Sequence, residues 1–394
     1  MVANIQVLRN FAALAVVWHH LQQQLNLYLG AGYDTWFGIA GVDVFFVISG
    51  FIMFHTNPTL RHSPVGFWID RIIRIAPLYW IATLIVVAMV LVGLNPQGAK
   101  SIDSGDVLTS LGFFPDVRAD GYPSPILTVG WTLIYEMFFY LTFGLSFFLR
   151  SRLTALLVLS VFFAALSLLS EFGQNLPYAI TYYMQPITLE FVAGGALAIA
   201  YTHVKTLSRR TAQVLGYGLI FVGVWGVFIT ADRVGELVNS KFDLRVLTMG
   251  VASVAIVAGA LALDRGGISP RNPKLMLMGA ASYAVYLFHP VIVQFATKAL
   301  AMVVPLHGED GLILLAGAGF GSATILGVMI HLWVELPMQR YLKRVTSRLR
   351  AAYRRRYPYP PCKPKLLEFK PSNQKQRGDA ARVQVRAHHL RSLR

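Results

Sequence analysis

The chain alternates between long apolar runs and short polar breaks, and its runs exceed the length of a strand or of a soluble core helix. Ile81 to Leu94, Leu153 to Leu169, Val214 to Ile229 and Leu312 to Ile330 are nearly free of charge. Each extends to the roughly 20 residues that a helix needs to cross a bilayer. The pattern predicts ten spans, at residues 7–29, 36–56, 77–94, 129–149, 153–170, 181–202, 212–230, 244–264, 275–304 and 311–334. Breaks holding Arg61, Arg71 and Arg74, then Arg150 and Arg152, then Lys205, Arg209 and Arg210, then Arg265, Arg271 and Lys274 all fall on one side. Those near 30–35, 171–180 and 305–310 carry no Lys or Arg, and the break at 95–128 only Lys100 and Arg118. Basic loops stay in the cytoplasm, so the expected topology is N-in, C-in. The first span follows a short start with no small-residue cleavage site and reads as a retained span. The 95–128 break, rich in Gly, Pro, Asp and Ser, exceeds the usual connection length and is expected to be an outside loop that helps cover a site. No internal repeat suggests a transporter built from duplicated halves.

Composition agrees with this reading. Hydrophobic residues make up 55% of the 394 and charged residues 14%, against about 25% charged in soluble domains. The expectation is an all-α, multi-pass integral membrane protein of about ten helices. Charge is concentrated at one end: from Arg340 onward 17 Lys+Arg stand against Glu368 and Asp379, which accounts for +15 of the chain's +16. This divides the sequence into a transmembrane domain, 1–342, and a basic cytoplasmic tail, 343–394, expected to be disordered beyond Pro358 and to touch anionic lipid. A basic run after a last span is the ordinary topology signal, so nucleic acid is not an expected partner. The single cysteine, Cys362, excludes an internal disulfide framework and a multi-cysteine metal site, and no metal is expected.

Ionisable residues inside the spans carry the functional signal, because each costs about 2.5–3.5 kcal/mol at the centre of a bilayer. By helical rise, His20 lies about 20 Å up the first span, while Asp43 and Glu136 lie about 10 Å down from the outside. His289 falls near the same level and Glu190 near mid-membrane, so one polar chamber can hold them all. For each residue alone, a hydrogen bond that fixes helix packing is the competing explanation. Arg9 and His20 are eleven residues apart, which puts them on one helix face about 16 Å from each other, whereas His19 is turned about 80° away. Such a pair suits the two ends of one long ligand, and a pantetheine arm with a nucleotide at its cationic end has that shape. Arg71 and Arg74, at i and i+3, can face one anion or serve only as topology signals. Trp68 and Tyr79 beside them read as interfacial anchors, or as a platform for an adenine ring. There is no Gly-x-Ser-x-Gly elbow, Walker loop, His-Glu-x-x-His pair or dinucleotide fingerprint. Serine hydrolysis, ATP-driven work and zinc catalysis lose support.

The blocks Arg9-x10-His20, Gly41-Val-Asp43-Val-Phe-Phe-Val-Ile-Ser49-Gly50-Phe51, Arg71-Ile-Ile-Arg74-Ile-Ala-Pro77, Trp131-Thr-Leu-Ile-Tyr-Glu136-Met-Phe-Phe-Tyr140, Ser282-Tyr-Ala-Val-Tyr-Leu-Phe-His289-Pro290 and Trp333-Val-Glu335-Leu-Pro337 occur in that order. Together they resemble the membrane acyltransferase-3 family, and the second and fourth are most similar to exopolysaccharide O-acetyltransferases. The resemblance implies a ten-helix protein of the bacterial inner membrane with acetyl-CoA as cytoplasmic acyl donor. The acceptor it implies is a hydroxyl of an exopolysaccharide or other cell-envelope glycan, free or lipid-linked. On this reading His20 is the general base or transient acyl carrier, and Asp43 or Glu136 orients it. Arg9, Arg71 and Arg74 hold the coenzyme A phosphates and pantetheine. The competing classes are a secondary transporter or flippase of a lipid-linked glycan, with the acidic and histidine layer as proton relay, and a non-catalytic scaffold recruited through the tail.

Overall fold

In a computed structural model the chain is described from residue 2 to 356, apart from residues 31, 33–34, 58–62, 95–101, 119–120, 122, 150, 171, 173–174, 241, 271 and 306–307. Every regular element among the described residues is helical. In chain order they are α1 (Ala3–Leu29), α2 (Ala40–Thr56), α3 (Pro64–Leu91), α4 (Ser104–Leu111), α5 (Trp131–Leu145), α6 (Arg152–Ser170) and α7 (Tyr178–Tyr183). There follow α8 (Leu189–His203), α9 (Arg209–Ser240), α10 (Phe242–Arg245), α11 (Val251–Arg265), α12 (Pro273–Val303), α13 (Gly308–Ile330) and α14 (Leu336–Arg356). Two wider π-helical turns, Val246–Gly250 and His331–Glu335, join α10 to α11 and α13 to α14. The absence of strands among these residues has a physical cause: in hydrocarbon a helix satisfies its own backbone hydrogen bonds, and an open sheet edge does not.

Among the described residues eight helical stretches are long and apolar enough to cross a bilayer, making the chain an all-α integral membrane protein. The two other expected spans fall outside that set for different reasons. α1 is long enough at 27 residues, but Arg9, His19, His20 and Gln22 to Gln24 give it a polar face. The run expected at 181–202 is broken: α7 ends at Tyr183, Pro186 starts a separate 3₁₀ turn, and α8 begins only at Leu189. A helix also stands where the outside loop was expected. Asp103 and Asp106 each accept from the other's backbone N–H in a capping box that starts α4. The chain divides into a unit that ends at Val345 and one that begins at Thr346; seven of the eight stretches lie wholly in the first, and the eighth, Gly308–Leu349, runs past the division. α14 continues past the expected 342/343 boundary, while the tail expected to be disordered beyond Pro358 lies outside the described residues.

α2 sits at the centre. Its most apolar window is 83% buried, against 17% for α6 and 22% for α9, which therefore face lipid. α2 packs closely on α8 at two glycines: a Cβ on Gly50 would collide with the carbonyl of Phe191, and one on Gly194 with the carbonyl of Val47. The same helix is tied to α10 by a buried ion pair. The guanidinium of Arg245 donates to both carboxylate oxygens of Asp43, Nε at 2.9 Å and Nη2 at 2.8 Å, and Nη2 also reaches the carbonyl of Ile39 at 3.2 Å. Arg245 is 1% exposed and Asp43 0%, so neither charge has water as an alternative partner.

Two outcomes follow for SDS-induced unfolding in mixed micelles. Gly194→Ala should destabilise by about 1–3 kcal/mol, because the obstacle is backbone, whereas Gly218→Ala, where the added methyl meets open space, should not. Arg245→Leu should cost roughly 3–5 kcal/mol by stranding the Asp43 carboxylate. The double variant Arg245→Leu with Asp43→Leu should be more stable than the single one.

Candidate functional site

α1 carries the site's two ends. Arg9 and His20 lie on one unbroken helix, Ala3–Leu29, so the rise between them is about 16 Å. Other elements supply the rest: α2 brings Ser49, α3 brings Arg71 and Arg74, α5 brings Glu136 and Tyr140, α12 brings Tyr283, Tyr286 and His289, and the second π turn brings Glu335.

At the Arg9 end the groups are cationic and aromatic. Arg9 lies within electrostatic reach of Arg74, Glu136, Glu335 and Tyr140. Nη1 of Arg74 donates to Glu335 at 2.6 Å and to Gln339 at 3.2 Å, and its guanidinium stands 5.7 Å from the ring of Tyr283. Glu335 closes the π turn, and its second oxygen meets Nδ1 of His331 at 2.6 Å. Arg71 is held differently. Its guanidinium rests against Phe67 and Tyr140, 5.6 and 5.9 Å from the ring centres, and its buried Nε has no hydrogen-bond partner among the described residues. Three guanidiniums therefore collect at one end of the site, and among the described residues only that of Arg74 is hydrogen-bonded to a carboxylate, Glu335, which is the electrostatics of an anion site.

Midway, one oxygen of Glu136 accepts from Ser49 Oγ at 2.7 Å and from the Tyr140 hydroxyl, and these two hydroxyls lie 3.1 Å apart. Beyond them Thr132 and Tyr286 share a hydrogen bond of 2.7 Å. At the far end Nδ1 of His20 lies 3.0 Å from the carbonyl of Val16 and 3.1 Å from Nε2 of His289. Nδ1 of His289 reaches the carbonyls of Tyr286 at 2.8 Å and Val285 at 3.2 Å. Nε2 of His20 has no partner among the described residues, and the side chain keeps some exposure.

Not every expected residue joins this track. Asp43 accepts its hydrogen bonds from Arg245, and Glu190 lies beside that pair as a second buried carboxyl. The position next to His20 expected for Asp43 or Glu136 is filled by Val16 and His289. The reason is helical geometry: Asp43 and Ser49 are six residues apart on α2, which turns them about 120° from each other. One faces α10 and the other α5. Trp68 and Tyr79 are structural. Trp68 donates to the carbonyl of Tyr140 at 3.1 Å, and the buried Tyr79 donates to the carbonyl of Ser110 at 3.1 Å, which pins α4. His55 stacks on Phe51 with ring centres 5.1 Å apart. His19 meets His20 edge-on at 5.4 Å and Trp36 at 5.6 Å.

Arg245 and His331 had not been singled out in the sequence. The only available sign of Arg245 was a cation at the edge of an apolar run in a protein with a buried Asp elsewhere. His331 shows itself only through its i, i+4 spacing to Glu335.

Comparison with known proteins bears on this arrangement. The family described as the acyltransferase domain matches residues 2–333. The exopolysaccharide production protein ExoZ of Rhizobium meliloti (strain 1021) is 34% identical over 321 residues, covering 81% of this chain and 95% of that protein. Acyltransferase MdmB of Streptomyces mycarofaciens is 26% identical over 377 residues, 86% of this chain and 91% of its own length. The putative peptidoglycan O-acetyltransferase YrhL of Bacillus subtilis (strain 168) is 26% identical over 324 residues, 74% of this chain but only 49% of YrhL. No solved structure matches the chain. The match runs through α1, α2, α3, α5 and α12, the helices that carry the polar track, and the chain belongs to the acyltransferase-3 family of membrane acyltransferases.

Proposed function

We propose that this acyltransferase moves an acetyl or other short acyl group from cytoplasmic acyl-CoA to a hydroxyl of an exopolysaccharide or other cell-envelope glycan. The observation that carries the proposal is the pairing on α1 of a guanidinium cluster at one end with a histidine whose Nε2 is free at the other. The spacing of about 16 Å suits an extended pantetheine arm. In this reading the chain crosses the bacterial inner membrane ten times, α1 and the broken run 178–203 included, with both termini in the cytoplasm. The arginines then lie towards the cytoplasm and His20 towards the outer face. Exopolysaccharide as acceptor is supported by the likeness to ExoZ, and acetyl as the acyl group by the likeness to a putative peptidoglycan O-acetyltransferase.

Arg9, Arg71 and Arg74 hold the phosphates and the polar groups of the pantetheine. Nε2 of His20 takes the proton of the acceptor hydroxyl as its oxygen attacks the thioester carbonyl, or carries the acyl group itself for one step. Glu136, fixed by Ser49 and Tyr140, serves as the polar wall between the two ends. Asp43 acts at one remove, by holding Arg245 and with it the packing of α2. Transport of a lipid-linked glycan needs no donor, and its support falls with membership in an acyltransferase family.

Arg71 offers the clean test of the donor. Among the described residues its removal breaks no carboxylate ion pair, whereas removal of Arg74 takes the guanidinium partner from the buried Glu335 and leaves it His331 and Gln339. Arg71→Ala should weaken coenzyme A binding about tenfold, as expected for one charge-assisted contact of roughly 1.4 kcal/mol or more, with the thermal midpoint of the free protein unchanged. Calorimetric titration of the purified protein reads the affinity and a thermal melt of the free protein reads the midpoint, and equal affinity in variant and wild type would return Arg71 to a topology signal.

A further inference from the structure

Pro290 lies inside α12, directly after His289. A proline has no amide hydrogen, so the carbonyl four residues earlier, that of Tyr286, loses the donor that a helix otherwise supplies. His289 takes that place, with Nδ1 at 2.8 Å from the Tyr286 oxygen and 3.2 Å from that of Val285. Carbonyl oxygens only accept, so Nδ1 of His289 carries the hydrogen, and in a neutral imidazole Nε2 is then a bare acceptor. That acceptor faces Nδ1 of His20 at 3.1 Å, whose other neighbour is the carbonyl of Val16 at 3.0 Å. Both neighbours accept, so Nδ1 of His20 also carries its hydrogen. The lone pair of His20 is left on Nε2, the nitrogen without a partner among the described residues.

We propose that His289, oriented by the carbonyl that Pro290 frees, is the positioning residue that fixes the tautomer of His20. The inference rests on the reading of His20 as the base. It supplies what that reading lacked once Asp43 was found paired with Arg245: a group that aims the ring and presents the correct nitrogen. In the reaction the O–H bond of the acceptor breaks and its proton passes to Nε2 of His20. The acceptor oxygen bonds to the thioester carbonyl carbon, the C–S bond breaks, and the proton goes on to the departing sulfur. While His20 is positively charged, its Nδ1–H stays between two acceptors, the Val16 carbonyl and Nε2 of His289, and neither gives up a proton. Pro290 has a defined part in this chemistry although it touches nothing that reacts.

The test is nitrogen-15 solid-state NMR of the full-length, histidine-labelled protein in bilayers at neutral pH, with the His20 signals identified by their loss in His20→Ala. Wild-type His20 should be protonated at Nδ1 and bare at Nε2. His289→Leu should mix the two tautomers and lower kcat about a hundredfold, the usual worth of a well-placed general base, with little change in KM for the acyl donor. His289→Gln, whose amide oxygen can accept in place of Nε2, should keep the wild-type tautomer and recover most of kcat. A wild-type His20 protonated at Nε2, or an unaltered tautomer in His289→Leu, overturns the proposal. Because the spectrum needs no donor, a correct tautomer in a protein that transfers nothing would count against the acyl-transfer reading alone.

Discussion

A charge in hydrocarbon must find its counter-charge within the protein, and much of this structure follows from that requirement. Asp43 and Arg245 are 202 positions apart in sequence and both fully enclosed, yet they meet through two hydrogen bonds of 2.8 and 2.9 Å. Arg74 and Glu335, 261 positions apart, meet through one hydrogen bond of 2.6 Å, with Glu335 enclosed and Arg74 partly exposed. Each pair sits at a π-helical turn, one that begins just after Arg245 and one that ends on Glu335. A π turn inserts an extra residue into the helical repeat and swings the next side chain off the face it would otherwise occupy, which is why such turns recur at functional sites. Here both turns bring an ionic side chain to its partner. The pairs fasten α2 to α10 and α3 to the start of α14, and so set the walls between which α1 runs.

Within those walls polar groups are neutralised unequally, and this inequality separates the site from the scaffold. Asp43 has its partner in Arg245, but Arg71 keeps an unpartnered Nε and Nε2 of His20 keeps its lone pair. A buried polar group without a partner costs roughly 1–3 kcal/mol, and a ligand that meets it recovers that cost on binding. In the proposed reaction these two groups meet the ligand: Arg71, on α3, shares contact with Tyr140 at the Arg9 end of α1, and His20 stands near the other end, which suits a reaction whose donor is long and whose bond-making is confined to one end.

The spans were legible because apolar length is written locally, in twenty consecutive residues. Azimuth was not. Whether Asp43 faces His20 or Arg245 depends on how α2 is rotated against its neighbours, and that rotation is set by contacts at Gly50 and Gly194 that no local count reveals. Arg245 escaped notice for the same reason, since its partner is fixed by packing and not by spacing. α4 was hidden in a different way: Asp103-Ser104-Gly105-Asp106 reads as a polar loop by composition and as a capping box only when each Asp is seen to accept the other's N–H. The sequence run His289-Pro290 was visible throughout, but its meaning required the distance from Nδ1 to the carbonyl of Tyr286.

The central claim is that a base on α1 passes an acyl group from a coenzyme A thioester to a glycan hydroxyl. The most direct measurement gives purified wild-type and His20→Ala protein, in lipid nanodiscs, acetyl-CoA labelled in the acetyl group together with a fraction of secreted and lipid-linked glycans, and counts the label that becomes alkali-labile on glycan. The account predicts label on glycan with wild type and none above background with a folded His20→Ala protein. Equal labelling by the two proteins would contradict the role of His20, and a folded wild type that labels no glycan from any acyl-CoA would contradict the donor itself.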